Sequence, residues 1–268
     1  MPELPEVETV VRTLEKQIKG RRIESVNVRY EKIVSQEVPT FIENLVGQCF
    51  RGFGRRGKYL LLQMDTCVLV CHLRMEGKFY ILDSQEPCDR HTHVVFTLDN
   101  GQTLRYHDTR KFGRMETVPL GTDFSHWHGL GPEPFDDAFD STYIQKIAQK
   151  RSTPLKSLLL DQSFVAGIGN IYADEILAAC HLRPGRSCKR TTHTDAENIA
   201  METRRILNEA IKAGGTTIRS YTSSLGVTGM FQLNCVVHAK KTCGLCGSET
   251  KVRCIGGRSS YYCPSCQK

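Results

Sequence analysis

Hydrophobic spacing divides the chain into three regimes. Leu4, Val7, Val10, Val11, Leu14 and Ile18 recur as one face of a helix. Beyond Gly20 the pattern becomes extended. Runs at 23–28, 58–64, 67–74, 78–83, 93–98, 102–107 and 112–118 are rich in β-branched and aromatic residues, as strands are. A short helix near 41–46 interrupts them, and Asp99-Asn100-Gly101 is a hairpin turn between two of them. Many short strands at close spacing predict an antiparallel sandwich or barrel. Gly129-Leu130-Gly131-Pro132-Glu133-Pro134 reads as a linker, after which helical spacing returns at about 141–151, 154–160, 172–180 and 194–213. Residues 214–232 are polar and hold Gly214, Gly215, Gly226 and Gly229 with little helical pattern. Loops of that length are usually functional or disordered. This one is a candidate lid over a bound base.

The first helix carries an anomaly. At about 100° per residue, Glu3 falls inside the apolar stripe and Glu6 at its edge. A carboxylate aimed at a core is costly unless it has a partner or a task. Trimming of Met1 would leave Pro2 as a secondary amine. An α-amino group titrates near ~7.7–8.0, so part of it is nucleophilic at neutral pH. Such an amine can attack a sugar aldehyde carbon and form an imine, and two neighbouring acids can serve as proton donor and relay. The plain alternative is an amphipathic helix whose acids favour its positive end.

Composition narrows the setting. A chain of 268 residues, 40% of them hydrophobic, holds a real core and suggests two domains. It shows no bilayer-length apolar run, and its acidic, helical start is unlike a signal peptide, so a cytosolic protein is expected. Net charge is +7 with a pI near 8.8. Arg51, Arg55, Arg56 and Lys58 cluster without an acid, and Arg105, Arg110, Lys111 and Arg114 face only Asp108. Local excesses of that kind suit a polyanion, although they also serve solubility.

Four turns concentrate the candidate chemistry. Arg55-Arg56-Gly57-Lys58 enters a strand, where Lys58 is either a phosphate ligand or a solvated edge residue. In His72-Leu73-Arg74-Met75-Glu76-Gly77-Lys78, Met75 falls just past a strand; on a loop it would suit insertion into a base stack, in a core it would fill a gap. Asp108-Thr109-Arg110-Lys111-Phe112-Gly113 pairs an Arg that can read a base edge with a Phe that can wedge between bases. Val165-Ala166-Gly167-Ile168-Gly169-Asn170 puts two glycines before a helix, an anion-binding arrangement or merely a tight turn.

The sharpest signal comes last. Twelve cysteines in a reducing compartment are best sorted by spacing. Cys243-x2-Cys246 and Cys263-x2-Cys266, with sixteen residues between the pairs, have the spacing of a four-thiolate structural zinc site. Residues 236–268 also hold six Lys or Arg and one Glu, so the element is basic.

Taken together the pieces resemble the formamidopyrimidine-DNA glycosylases, bacterial base-excision repair enzymes that remove oxidised purines. The resemblance covers almost the whole chain. It rests on Pro2-Glu3-Leu4-Pro5-Glu6-Val7-Glu8-Thr9-Val10, the 72–78 motif, Gly167-Ile168-Gly169-Asn170-Ile171-Tyr172-Ala173-Asp174-Glu175, and Cys263-Pro264-Ser265-Cys266-Gln267. It implies an α+β fold: an N-terminal helix on an antiparallel β-sandwich (1–130), a linker (131–140), a helix–two-turn–helix domain (141–233) with a lesion loop at 214–232, and a β-hairpin zinc finger (234–268). It further implies duplex DNA, carrying an oxidised base or an abasic site, held in the cleft between the two halves.

Residue by residue, the resemblance makes Pro2, Glu3, Glu6 and Lys58 the catalytic set, with Pro2 as nucleophile at C1′. His72, His91, Asn170 and Arg258 match DNA-gripping positions, and Lys156 lies near the damage site. Met75, Arg110 and Phe112 match the trio that fills the vacated stack, Arg110 facing the orphaned cytosine. Ser220 to Phe231 resembles the loop covering the extruded base. Cys243, Cys246, Cys263 and Cys266 would hold one Zn²⁺, with no redox cofactor, and the enzyme would be a bacterial, cytoplasmic, nucleoid-associated monomer. Two alternatives stand beside this: an endonuclease-VIII-type enzyme for oxidised pyrimidines, and a non-catalytic lesion-binding protein. The chain departs from the family pattern at Val237-His238-Ala239-Lys240, where Val-Tyr-Gly-Lys is common, and at Ser259-Ser260, where Gly-Thr is common.

Overall fold

Helix α1 (Leu4–Ile18) forms where the apolar stripe predicts it, and Val7, Leu14 and Ile18 are completely buried. The computed structural model describes residues 1–216 and 229–268. They fall into two units, Met1–Asp123 with Gly214–Gly229, and Phe124–Ala213 with Met230–Lys268.

The first unit contains α1, α2 (Val38–Leu45) and two four-stranded antiparallel sheets. One sheet runs β1 (Ile23–Val28), β6 (Thr92–Leu98), β7 (Gln102–His107), β5 (Lys78–Asp83). The other runs β2 (Gly52–Arg56), β3 (Tyr59–Gln63), β4 (Cys67–His72), β8 (Arg114–Pro119). Their inward residues, among them Leu60, Leu62, Leu69, Phe79, Phe96 and Leu104, share one core with the apolar face of α1. That shared core is the expected sandwich. Helix α1 packs on β2 and β3, the strands either side of Lys58.

Strand β2 has no sequence signature, since Gly52-Phe53-Gly54-Arg55-Arg56 lacks β-branched residues. Pairing with β3 makes it a strand, Gly52 opposite Gln63 and Arg56 opposite Tyr59. Strand β8 starts at Arg114, not at 112 as expected, because the Asp108 carboxylate holds Phe112 and Gly113 in the preceding turn.

In the second unit α3 (Ser141–Ala148), α4 (Leu155–Leu160), α5 (Asn170–Ala179) and α6 (His193–Lys212) pack α3 on α6, α4 on α5 and α5 on α6. The caps explain the boundaries. Asp140 accepts from Tyr143 N at 2.7 Å, and Thr192 and Asp195 cap α6 reciprocally at 3.1 and 2.9 Å. Gly169 caps α5, which therefore begins two residues before the expected start. The hairpin β9 (Lys251–Ile255) and β10 (Arg258–Tyr262) packs through β10 on α5.

The two departures from the family pattern behave differently. Ala239 sits at φ +56°, where glycine is at ease and a Cβ is strained. Ser259 and Ser260 lie in regular strand, opposite Cys254 and Arg253, so no special backbone is needed there. Among the described residues no helix is long and apolar enough to cross a membrane.

Candidate functional site

Pro2 is buried at the start of α1, and Glu3 and Glu6 are 2% and 4% exposed. Burial of both acids follows from the anomaly in the stripe, and their hydrogen bonds show how it is tolerated. Glu6 Oε2 accepts from the Glu3 N–H at 2.8 Å. Glu6 Oε1 accepts from the Thr216 N–H at 2.7 Å and from Thr216 Oγ1 at 3.1 Å. The Glu6 carboxylate therefore fixes the backbone of Glu3 and ties α1 to the start of the polar segment. Gly215, at φ +79°, passes so close that an added Cβ would lie 2.7 Å from Glu6 Oε1. Of the expected lid, 214–232, residues 217–228 lie outside the described residues.

Lys58 follows Gly57 (φ +55°) in the turn from β2 to β3 and is only 7% exposed. Arg55 shapes this turn, donating from Nη1 to the Gly57 carbonyl at 2.9 Å and from Nε to Glu8 of α1 at 3.3 Å. The residues expected to be catalytic thus share one unit, with α1 laid on the strands that flank Lys58.

His72 ends β4, where its Nδ1 accepts from the Arg74 N–H at 3.0 Å and its ring meets Tyr59 edge-on at 4.6 Å. Met75 follows in a turn and is half-buried, neither core nor free. Arg110 and Phe112 project from their own turn, the guanidinium 4.8 Å from the ring centroid and Phe112 48% exposed. The pair is an exposed cation–π contact.

Sequence patterns did not reveal what builds this turn. Asp108 is completely buried, and its carboxylate accepts from the Arg110, Phe112 and Gly113 N–H groups, each at 2.9 Å. Its carbonyl accepts from His93 Nε2 at 2.7 Å and its N–H donates to the His91 carbonyl at 3.0 Å. Burial lowers the His93 imidazole below its ordinary range, which suits a neutral ring donating to that carbonyl. His91 is half-buried and accepts from Arg90 Nε at 3.1 Å.

Tyr106 joins the two turns. A Cβ added at Gly113 would lie 1.6 Å from its hydroxyl, and one at Gly77 2.2 Å away. The Thr109 hydroxyl also donates to the Glu76 carboxylate. The Met75 and the Arg110/Phe112 turns are therefore fixed against each other. Gly113→Ala forces Tyr106 out of this packing and is expected to destabilise the unit by about 1–3 kcal/mol, the usual cost of overpacking. A thermal melt, read at roughly 2–4 °C per kcal/mol for a chain of this size class, checks it; an unchanged melting temperature would mean that Tyr106 has room to move.

The second unit holds the other candidates. Asn170 opens α5 and its Nδ2 donates to the Ser259 carbonyl at 3.1 Å. The glycine turn before it is stitched by Gln162, which accepts from the Gly167 N–H at 3.0 Å and donates to the Ile168 carbonyl at 2.8 Å. Arg258 is exposed at the start of β10, after Gly256 (φ +56°) and Gly257 (φ +73°).

Lys156 lies away from solvent. Expected as a DNA contact, it is fully buried, paired with Asp174 at 2.7 Å and donating to the Ser259 carbonyl at 3.1 Å. Asp174 also meets His238 Nδ1 at 2.8 Å and the Tyr261 N–H at 3.1 Å. Glu175 accepts from the Val236, Val237 and His238 N–H groups at 2.7, 3.0 and 2.7 Å. Burial pushes the Glu175 carboxyl above its usual range, and the three N–H donors only partly offset it.

The four cysteine sulfurs lie within 4.8 Å of one another, Cys243 to Cys266 at 3.9 Å and Cys246 to Cys263 at 3.5 Å. Zn–S bonds of about 2.3 Å in a tetrahedron place sulfurs roughly 3.8 Å apart. The Leu245 and Cys266 N–H groups point at Cys243 and Cys263 sulfur at 3.4 Å each, the donors a thiolate calls for. The set fits a closed, structural tetrahedral ion.

Residues 1–115 match the formamidopyrimidine-DNA glycosylase N-terminal domain, and residues 130–222 match the formamidopyrimidine-DNA glycosylase H2TH domain. A formamidopyrimidine-DNA glycosylase of Bacillus licheniformis is 43% identical, with all of both chains covered. One from Desulforamulus reducens is 45% identical over 100% of this chain and 99% of its own. The Lactococcus lactis Fpg, solved as a complex with DNA containing an abasic site, superposes with a TM-score of 0.94 at 36% identity, covering 99% of each chain. The same wild-type protein solved with DNA containing N7-benzyl-Fapy-dG gives a TM-score of 0.93 at 36% identity, both chains fully covered.

Proposed function

The chain belongs to the formamidopyrimidine-DNA glycosylase family, DNA glycosylases of base excision repair, and we propose that it excises oxidised purines from duplex DNA and then nicks the resulting abasic site. The observation that carries this reading is the N-terminus: a buried proline with two buried acids, one of which fixes the backbone of the other.

The reaction follows from those groups. Removal of Met1 frees the Pro2 nitrogen as a secondary amine. The damaged nucleotide is extruded from the stack, and Glu3 donates a proton as the sugar ring opens. The Pro2 nitrogen bonds to C1′ and the base departs with the former C1′–N electron pair and a proton. The resulting imine, cationic on nitrogen, draws electrons from C2′, whose proton is then removed. β-Elimination expels the 3′ phosphate and δ-elimination the 5′ phosphate, leaving a one-nucleoside gap. Glu6 acts through Glu3, since both its carboxylate oxygens are occupied by backbone and Thr216 donors. Lys58, His72, Asn170 and Arg258 hold phosphates and His91 adds a further DNA contact, while Met75, Arg110 and Phe112 fill the gap the base leaves.

Zn²⁺ is the expected ion of the four-thiolate site. Bound there, it would stabilise the hairpin that carries Arg258, and no step of the reaction passes through it. One set of catalytic groups per chain makes a monomer sufficient.

The test compares three duplexes, containing 8-oxoguanine opposite cytosine, thymine glycol, or an abasic site. Excision of oxoguanine well above thymine glycol, with nicking of the abasic duplex, is expected. Preference for thymine glycol would favour the oxidised-pyrimidine reading. Tight binding without any nicking would leave a lesion-binding protein.

A further inference from the structure

Lys156 is a fully buried lysine that does not reach solvent, so its charge serves something inside the protein. Its ammonium is anchored by Asp174 Oδ1 at 2.7 Å and donates to the Ser259 carbonyl at 3.1 Å. The same carbonyl accepts from Asn170 Nδ2 at 3.1 Å. Ser259 directly follows Arg258. One backbone oxygen is therefore shared by a buried lysine and by the asparagine that opens α5, beside the arginine at the hairpin end.

We propose that Lys156 is a positioning residue for phosphate binding: held by Asp174, it fixes the Ser259 carbonyl and with it the directions of both Arg258 and Asn170. This rests on the assignment of those two residues as phosphate ligands. A two-stranded hairpin is marginal alone, and Gly256 and Gly257, both at positive φ, make its turn. Arg258 is aimed only if β10 is held from outside. The Asp174 carboxylate supplies two such holds, through Lys156 to Ser259 and directly to the Tyr261 N–H at 3.1 Å. His238 Nδ1, 2.8 Å from Asp174 Oδ2, closes the cluster from the segment leading to Cys243. Asn170 gives one amide hydrogen to Ser259 and keeps the other for a phosphate oxygen. A direct phosphate contact by Lys156 would require breaking a buried ion pair, which is strongly unfavourable.

A double-mutant cycle in the zinc-loaded full chain tests this. Affinity for a duplex carrying a tetrahydrofuran abasic analogue is measured against salt for Lys156→Met, Arg258→Ala and the double variant, with abasic-site nicking at saturating DNA. Arg258→Ala should lose about one unit of log–log salt slope, one phosphate contact, and Lys156→Met should lose the same unit while raising KM and retaining kcat. The double variant should bind within about twofold of Lys156→Met, the limit set by ordinary additivity error. A general loss of stability would add to Arg258→Ala in full, so additive losses overturn the proposal, as does a second unit of slope lost in the double variant, which would make Lys156 a phosphate ligand. Asp174→Asn runs through the same cycle and must show the same coupling, so poor folding of Lys156→Met does not decide the result. If Arg258→Ala leaves the slope unchanged, the phosphate assignment fails and the positioning role falls with it; if that slope drops but the cycle is additive, only the positioning role fails.

Discussion

Pro2→Gly is expected to slow formation of the borohydride-trapped adduct on 8-oxoguanine DNA by about 100-fold, roughly 2.7 kcal/mol of transition-state stabilisation. Both residues leave an N-terminal amine, so the difference is one of order and charge. Proline's nitrogen is fixed in a ring that is buried at the start of α1, and attack at C1′ gives an imine that carries a permanent positive charge. Glycine's amine rotates freely and its imine can lose the proton that makes the C2′ hydrogen acidic. Single-turnover trapping with wild type and variant, resolved by denaturing gel, reads the difference. Undiminished trapping in the variant would move the nucleophile to another amine, a lysine being the obvious choice.

Cys263→Ser is the second large effect. Cys263 is completely buried, its sulfur 3.5 Å from that of Cys246 and accepting from the Cys266 N–H. A serine hydroxyl does not ionise at neutral pH and leaves three thiolates. Structural zinc contributes about 10–16 kcal/mol of apparent binding energy in isolated fingers, so a hairpin deprived of it loses its fold. The expected result is a fall from one zinc per chain to none by atomic absorption. The dissociation constant for abasic-analogue DNA should rise by at least about 100-fold, roughly 2.7 kcal/mol, if the hairpin grips phosphate as proposed. Strong chelation of the wild type should reproduce both changes. Retention of metal and affinity would mean that these cysteines are not the metal site.

Much of the fold was legible because periodicity reports which face of an element is buried. The stripe of α1 and those of α3 and α6 carry their burial in their spacing. β2 was not legible, because its strand character comes from pairing with β3 rather than from its own side chains. The metal site was legible because cysteine spacing is a local property, and the sulfurs do converge. The anomalous acids of α1 were also visible, since a charge inside an apolar stripe stands out in one dimension.

Tyr106, Asp174 and Glu175 were not assigned their tasks by sequence, and they share a physical reason. Each works by hydrogen bonding or packing between segments distant in the chain, as when Gly77 and Gly113 close on one tyrosine hydroxyl. Lys156 shows the same limit from the other side. The resemblance placed it near the damage site, and only the folded chain shows its charge buried against Asp174. The sequence by itself determined most of the elements, the four-cysteine set able to hold a metal ion and the identity of the chemical groups, because these depend on local composition and spacing. Tertiary structure alone decided which charges face outward and which hold the backbone, because desolvation and hydrogen-bond geometry exist only once distant segments meet.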